Sequence, residues 1–244
     1  MVEAREILDP TNREELIEWL RLLHDQVYDL RTKQFIFKVV WGLIEDNPEL
    51  QERQSHFYLW MYNLYVEGMA MAIRQLCDED DRTVSLARFL AFVKRDPSVI
   101  SREAYGNLFP ADTIGHPAMP GEVKAWLREH LINRGYDHTV GEGIEQPRGR
   151  DLKEIGELKR LADEIVEYAT KRLAHFDKIP PTQFPSLGAI DAVIERATDV
   201  VKKYSLLLKA VDTDMDVHFQ YDWLAPFRVT WLPDSVWLKR LQGS

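Results

Sequence analysis

Residues 151–178 read DLKEIGELKRLADEIVEYATKRLAHFDK, and this stretch carries the clearest helical signal in the chain. Its apolar residues recur every three or four positions, at Ile155, Leu158, Ala162, Ile165, Ala169 and Leu173. Because an α-helix turns once in about 3.6 residues, this spacing places them along one face, and the other faces are charged. The pattern predicts an amphipathic helix from Asp151 to Asp177 that buries one side.

A second long apolar stripe follows directly. The segment 179–185, IPPTQFP, ends the first helix, and Ser186 is placed to cap a helix that runs to Ala210. Two apolar stripes joined by a short proline-rich turn are typical of neighbouring antiparallel helices. We therefore predict a helical hairpin in which Ile165 and Leu173 are buried.

The rest of the chain is also predicted to be mostly helical. Apolar periodicity and capping residues indicate five further helices, at about 13–45, 49–77, 85–94, 101–108 and 121–133. The helix at 49–77 is apolar over most of its circumference, so we expect it to be the most buried helix. The fold class predicted is all-α, an antiparallel helical bundle.

The predicted organisation is one helical domain, residues 1–210, followed by a C-terminal segment, residues 211–244. Residues 134–150 are rich in glycine and polar groups and are predicted to form a mobile insertion. The C-terminal segment alternates apolar and polar residues and carries Trp223, Trp231 and Trp237. It is too apolar to remain in solvent, and we expect an irregular strap or a short hairpin packed on the bundle.

The composition is that of a globular protein with a sizeable core. The chain has 244 residues, 45% of them hydrophobic, which is enough for a sizeable core. Its formal net charge of −9 opposes binding to nucleic acid by bulk electrostatics. The single cysteine, Cys77, indicates a reducing compartment, and neither a signal peptide nor a membrane span is recognisable, so we expect a cytoplasmic protein that does not enter membranes.

Two stretches contain residue types that can bind metal ions. Residues 78–81 are four consecutive acids, but they lack the alternating ligands and the glycine of a calcium loop, and they are predicted to form a solvated turn. His138, Glu142 and Glu145 are metal-ligand residue types separated by glycines, a spacing that imposes no geometry. We predict no metal site and no cofactor.

The end of the helix at 151–177 concentrates side chains that are capable of chemistry. Lys171, Arg172 and His175 lie within about one turn, and Tyr168 precedes His175 by two turns on the same side. Asp177 follows just past the end. The run 168–177, YATKRLAHFD, resembles the close of the third helix in HEPN domains, in particular in the abortive-infection HEPN-like family of bacterial defence proteins.

A second stretch carries the same resemblance. Residues 72–78, AIRQLCD, are followed by an acidic loop and by residues 84–90, VSLARFL. This order resembles the family's Arg-containing helix end, its Asp and its Ser-Leu helix start. The resemblance covers roughly residues 13–210.

The resemblance implies cleavage of RNA without a metal, by a homodimer, with His175 as general acid or base. A histidine suits that role because its unperturbed pKa of about 6.5 allows it to give or take a proton near neutrality. Arg172 or Arg74 would clamp the phosphate. Residues expected to contribute to binding are Tyr168, Lys171, Asp78 and Asp177.

The chain departs from the HEPN ribonuclease pattern in one respect. Ribonuclease members carry an Arg with four to six residues between it and the His, and those positions are Tyr168, Ala169 and Thr170 here. One alternative is therefore a non-catalytic HEPN-like module that binds a partner protein or a nucleotide in a defence or toxin-antitoxin setting. A further alternative is that His175 only complements the helix dipole and hydrogen-bonds Asp177.

Overall fold

The computed structural model describes Pro10 and residues 12–52, 56–174 and 184–229. Helices account for most of these residues, and no strand occurs among them. In chain order the α-helices are α1 (Arg13–Glu45), α2 (Pro48–Gln51), α3 (His56–Leu76), α4 (Leu86–Arg95), α5 (Arg102–Gly106), α6 (Gly121–Ile132), α7 (His138–Val140), α8 (Glu154–Tyr168) and α9 (Leu187–Lys209). The all-α prediction is confirmed.

Side-chain oxygens cap the starts of α1, α4 and α9, and the cap of α9 is the predicted Ser186. Asn12 accepts from the backbone N–H of Glu15 at 3.0 Å, and Ser186 accepts from that of Ala189 at 3.1 Å. Ser85 caps α4 in the same way. Each cap satisfies a backbone N–H that the first helical turn leaves without a partner.

The four long helices α1, α3, α8 and α9 form an antiparallel bundle. The hairpin of α8 and α9 is fixed by pairs whose numbers run in opposite directions: Glu154 with Lys203 at 2.5 Å, and Glu157 with Arg196 at 2.5 Å. Helix α1 packs antiparallel on the other side of α9, because Gln34 near its end bonds Asp191 near the start of α9. The predicted antiparallel hairpin is confirmed.

Helix α9 lies at the centre of the core. Eleven of its residues are buried, among them Ile194, Val201 and Tyr204. The facing stripe of α8 supplies Ile165, which is fully buried, whereas Leu173 is only partly buried against the core. Helix α4 closes the core from one side, where the ring of its fully buried Phe89 meets Tyr204 edge-on, with 5.3 Å between ring centroids.

The expectation that the second helix is the most buried is wrong. The segment contains the short helix α2 and the longer α3, and the first half of α3 exposes Phe57 (53%), Trp60 (56%) and Leu64 (50%). The buried residues of α3 all lie between Val66 and Leu76, so the core covers only the second half of this helix.

The end of α8 also differs from the prediction of one regular helix to Asp177. Regular α-helical hydrogen bonding ends at Tyr168, and Ala169–Ala174 form a π-helix. A second π-helix, Asn133–Asp137, joins α6 to α7 within the region predicted as a mobile insertion. Whether that region moves stays a prediction, as does the division of the chain at residue 210.

The described part of the C-terminal segment runs along α1. Met215 is fully buried, and its carbonyl accepts a hydrogen bond from Arg31 Nε at 2.6 Å. Phe219 and Trp223 pack against Phe35, with ring centroids 6.0 and 6.1 Å away. The segment is irregular as far as residue 229 apart from one 3₁₀ turn, and Trp231 and Trp237 lie outside the described residues.

None of the described helices is long and apolar enough to cross a membrane.

Candidate functional site

The candidate site lies where the π-helix after α8 meets the last turn of α3. Arg74 of α3 is half-buried, and its Nε donates a hydrogen bond to Thr170 Oγ1 at 3.2 Å. Thr170 is the second residue of the π-helix that continues α8. The contact joins residues 96 positions apart in the chain. It therefore connects the two stretches that resemble the HEPN family.

Tyr168 is the last residue of α8 and precedes Thr170 by two positions. Its side chain is 2% exposed, and its ring packs against Phe184 with 5.2 Å between centroids. The hydroxyl is buried and has no hydrogen-bond partner among the described residues. Burial raises the pKa of this phenol, and the charge of Glu67 raises it further, while Arg172 acts in the opposite direction. Tyr168 is therefore a neutral hydroxyl at neutral pH.

Two cationic side chains, Lys171 and Arg172, follow Tyr168 on the π-helix. Arg172 is exposed on the π-helix and lies close enough to Tyr168 to act on its pKa. Lys171 forms an ion pair with Glu167, one turn earlier, at 2.5 Å. A π-helix has wider turns than an α-helix and often occurs at functional sites. It changes the direction in which the residues after Tyr168 point.

Asp78 forms hydrogen bonds within the loop after α3 and does not bond Arg74. Its carboxylate accepts from the backbone N–H of Asp80 at 3.1 Å, and its carbonyl accepts from the hydroxyl of Ser85. This is the usual way in which an aspartate stabilises a turn. Residue type favours Asp78 or Asp177 as the acceptor for Arg74. Asp78 is not the acceptor, because Arg74 bonds Thr170 instead, and Asp177 lies outside the described residues.

His175 and Asp177 lie outside the described residues. Their distances to Arg74 and Arg172 stay predictions. Ala174, the residue before His175, is the last described residue of the π-helix. The site assembled by the described residues thus consists of Arg74, Thr170, Tyr168 and their charged neighbours.

The chain matches the HEPN_AbiU2 family, described as AbiU2, over residues 13–226. It belongs to that family. The match covers the bundle and most of the described C-terminal segment, and it places the chain among HEPN-type proteins of abortive-infection defence. No curated protein and no solved structure matches the chain.

Three residues of the AbiU2-family site were missed by sequence reasoning. Glu67 lies seven residues before Arg74, so it is on the same face of α3, and that spacing was a usable signal. Thr170 was noted only as a position without the motif Arg. Phe184 lies in the proline-rich turn, and nothing in the sequence indicated that its ring would cover Tyr168.

No group of three or more His, Cys, Asp or Glu side chains able to hold a metal ion occurs in the described part of the chain. His138 and Glu142 line one open cleft on the surface of the insertion, and Glu145 lines another. The acids at 78–81 are used by their own loop, where Asp80 pairs with Arg82 at 2.5 Å. The absence of a metal and of a cofactor in the AbiU2-family protein stays a prediction.

Proposed function

We propose that this AbiU2-family protein is a metal-independent endoribonuclease in which Arg74 replaces the missing motif Arg. The hydrogen bond from Arg74 to Thr170 supports this proposal, because Thr170 is one of the three positions at which HEPN ribonucleases carry that Arg. A guanidinium from the neighbouring helix thus reaches the place of the absent side chain.

The guanidinium is well suited to bind phosphate at this place. It has five N–H donors in a planar fork, and Thr170 uses the one on Nε. The two terminal nitrogens make no hydrogen bond to another described residue, so they are available for two phosphate oxygens. The half-buried position strengthens the attraction, because partial exclusion of water lowers the local dielectric constant.

The proposed chemistry is an internal transfer within the RNA. The 2′-oxygen attacks the adjacent phosphorus, the bond from phosphorus to the 5′-oxygen breaks, and the proton lost by the 2′-hydroxyl ends on the departing 5′-oxygen. His175 is proposed to move this proton as general acid or base. Arg74, assisted by Arg172 and Lys171, would stabilise the extra charge on the phosphate oxygens. No metal takes part in these steps.

Replacing His175 by alanine is expected to abolish cleavage, and cleavage by the wild type is expected to be weak and to persist in EDTA. The activity is weak because a phosphate clamp from another helix is aimed less well than one on the motif helix. Folding should survive, since removing a polar side chain near a helix end costs on the order of 1 kcal/mol. Cleavage of a labelled RNA measures the activity, and circular dichroism on each variant measures whether it folds.

His218→Ala is the matched control, because His218 is exposed in the C-terminal segment. Cleavage that disappears in EDTA, or that persists unchanged in His175→Ala, would contradict the ribonuclease proposal. An inactive wild type would instead favour the non-catalytic module that binds a partner protein or a nucleotide.

We further propose that the protein acts as a homodimer formed through the exposed part of α3. Phe57, Trp60 and Leu64 are spaced by three and four residues, so they form one apolar stripe, and each is at least half exposed. The stripe continues into Glu67, which lies beside Tyr168. A two-fold contact through it would therefore bring two candidate sites together.

Trp60→Asp is expected to weaken the dimer at least 30-fold, which corresponds to the loss of about 2 kcal/mol or more for a central interface tryptophan. Analytical ultracentrifugation over a concentration series measures this change. Trp126→Asp is the control, since Trp126 is equally exposed on a distant helix. A wild type that is monomeric at high micromolar concentration, or a dimer that Trp60→Asp leaves intact, would refute this interface.

A further inference from the structure

Helix α6 presents an unusual exposed aromatic pair. The side chain of Trp126 is 63% exposed, and the ring of His130, one turn later, stacks on it with 5.3 Å between centroids and 15° between planes. No described residue other than His130 makes a ring contact with Trp126. A flat indole face is therefore open to solvent beside a second ring.

The helix that carries this pair is held rigidly by Arg102. The Arg102 guanidinium donates to Glu129 Oε1 at 2.6 Å, to Asn133 Oδ1 at 2.6 Å and to Asp137 Oδ1 at 3.2 Å. These three acceptors follow one another at intervals of four residues. One arginine thus anchors three successive turns through α6 and the π-helix and pairs with two carboxylates, Glu129 and Asp137.

Two further side chains extend the exposed face. Arg134 and His138 follow His130 at intervals of four residues, and both are exposed. They line a common cleft of about 550 Å³ together with Asn133, Asp137 and Glu142. We call Trp126, His130, Arg134 and His138 the α6 stripe. In a chain of net charge −9, the α6 stripe combines aromatic rings with a cation and no carboxylate of its own.

We infer that the α6 stripe binds single-stranded RNA. Unpaired strands present bases that stack on aromatic faces, alternating with phosphates that pair with cations, and the stripe offers both along one line. A base would stack on the open face of Trp126, and the next phosphate would meet Arg134. A duplex fits less well, because its bases are already stacked on each other and cannot reach the indole. The choice of RNA rests on the proposed function.

The α6 stripe is separate from the candidate active site. Helix α6 is joined to α5, because Arg128 donates a hydrogen bond to the carbonyl of Gly106. Helix α5 is joined in turn to the end of α9, because Arg13 donates to the carbonyls of both Ala104 and Leu208. The candidate site lies beside Phe184, just before the start of α9. The contacts through α5 therefore connect α6 to the end of α9 that is opposite the candidate site. Bound strand at the stripe would hold an unpaired RNA to the protein without occupying the cleavage site.

The test is binding of a labelled 2′-O-methyl oligonucleotide, which cannot be cleaved because it has no free 2′-hydroxyl. We expect Trp126→Ala to weaken binding about tenfold, from the loss of one base–aromatic stack. Arg134→Gln should weaken it and lower the slope of log affinity against log salt by about 0.7, the value for one phosphate contact on a single strand. Tyr221→Ala, which removes an aromatic ring that is 70% exposed elsewhere, should bind like the wild type.

Fluorescence anisotropy at several salt concentrations measures these changes, with a duplex of the same sequence as competitor. Equal binding by Trp126→Ala and the wild type, or equal binding of duplex and single strand, overturns the inference. A wild type that binds no oligonucleotide also overturns it. If the stripe does not bind RNA but the same preparation cleaves RNA in a manner that depends on Arg74, the ribonuclease proposal stands and the stripe inference fails. If the stripe binds the oligonucleotide but no cleavage occurs, the stripe inference stands and the ribonuclease proposal fails.

Discussion

Replacing Arg74 by alanine is expected to lower the rate of RNA cleavage by a factor of about 100 to 1,000, the usual effect of removing one donor aimed at developing charge. The proposed clamp has no duplicate on its own helix, since Arg74 is the only arginine or lysine of α3. Arg172 and Lys171 can attract the phosphate, but they extend from the π-helix rather than from the opposite wall of the site.

Single-turnover cleavage of a short labelled RNA by Arg74→Ala and Arg74→Lys separates charge from geometry. Lysine keeps the charge but lacks the fork, so it should restore only part of the rate. Arg160→Ala is the control, because Arg160 is exposed on α8 and its removal changes the net charge equally. A rate for Arg74→Ala within about threefold of the wild-type rate would contradict the role proposed for Arg74, since the loss of a transition-state donor lowers the rate by about 100-fold or more.

Replacing Phe89 by alanine is expected to lower the free energy of unfolding by about 3–5 kcal/mol, a large part of the stability of a typical domain. Phe89 is fully buried and meets the ring of Tyr204 edge-on in the centre of the core. Removing the ring loses its transfer free energy and leaves a cavity where α4 packs on the bundle. The helices around the cavity are held by their own contacts, so the site can collapse only in part.

Urea unfolding followed by circular dichroism measures this change as a shift of the midpoint at constant slope. Phe227→Ala is the matched control, because the Phe227 ring is about half exposed, and it should change the unfolding free energy by less than about 0.5 kcal/mol. A Phe89→Ala protein with wild-type stability would show that α4 is not part of the cooperative core.

Much of the fold was predictable because it depends on spacing along the chain. The stripe of α8 and the caps at Asn12, Ser85 and Ser186 involve residues three or four positions apart, so the sequence contains the whole interaction. The antiparallel hairpin of α8 and α9 followed from a short proline-rich connection. The π-helix after Tyr168 was not predictable, because α- and π-helical residues share the same composition and periodicity signals over one turn.

The candidate site was predictable only in outline. The HEPN resemblance marked both the end of α3 and the end of α8, and the structure brings Arg74 and Thr170 into contact there. Residue type favours a carboxylate, Asp78 or Asp177, as the partner of Arg74. Asp78, four residues after Arg74, instead bonds the backbone of its own turn, and Arg74 bonds the Thr170 hydroxyl. Asp177 lies outside the described residues.

The sequence by itself determined the helical class, the antiparallel hairpin and the membership of the HEPN_AbiU2 family. Each of these rests on spacings or motifs that lie within a few turns of one another. Only the tertiary structure decided that the first half of α3 is exposed, that Arg74 meets Thr170, and that Arg102 fixes α6 with Trp126 facing solvent. An apolar stripe shows which face of a helix prefers burial. Whether that face is covered depends on how far its neighbours extend, and this is set by contacts between residues far apart in the chain.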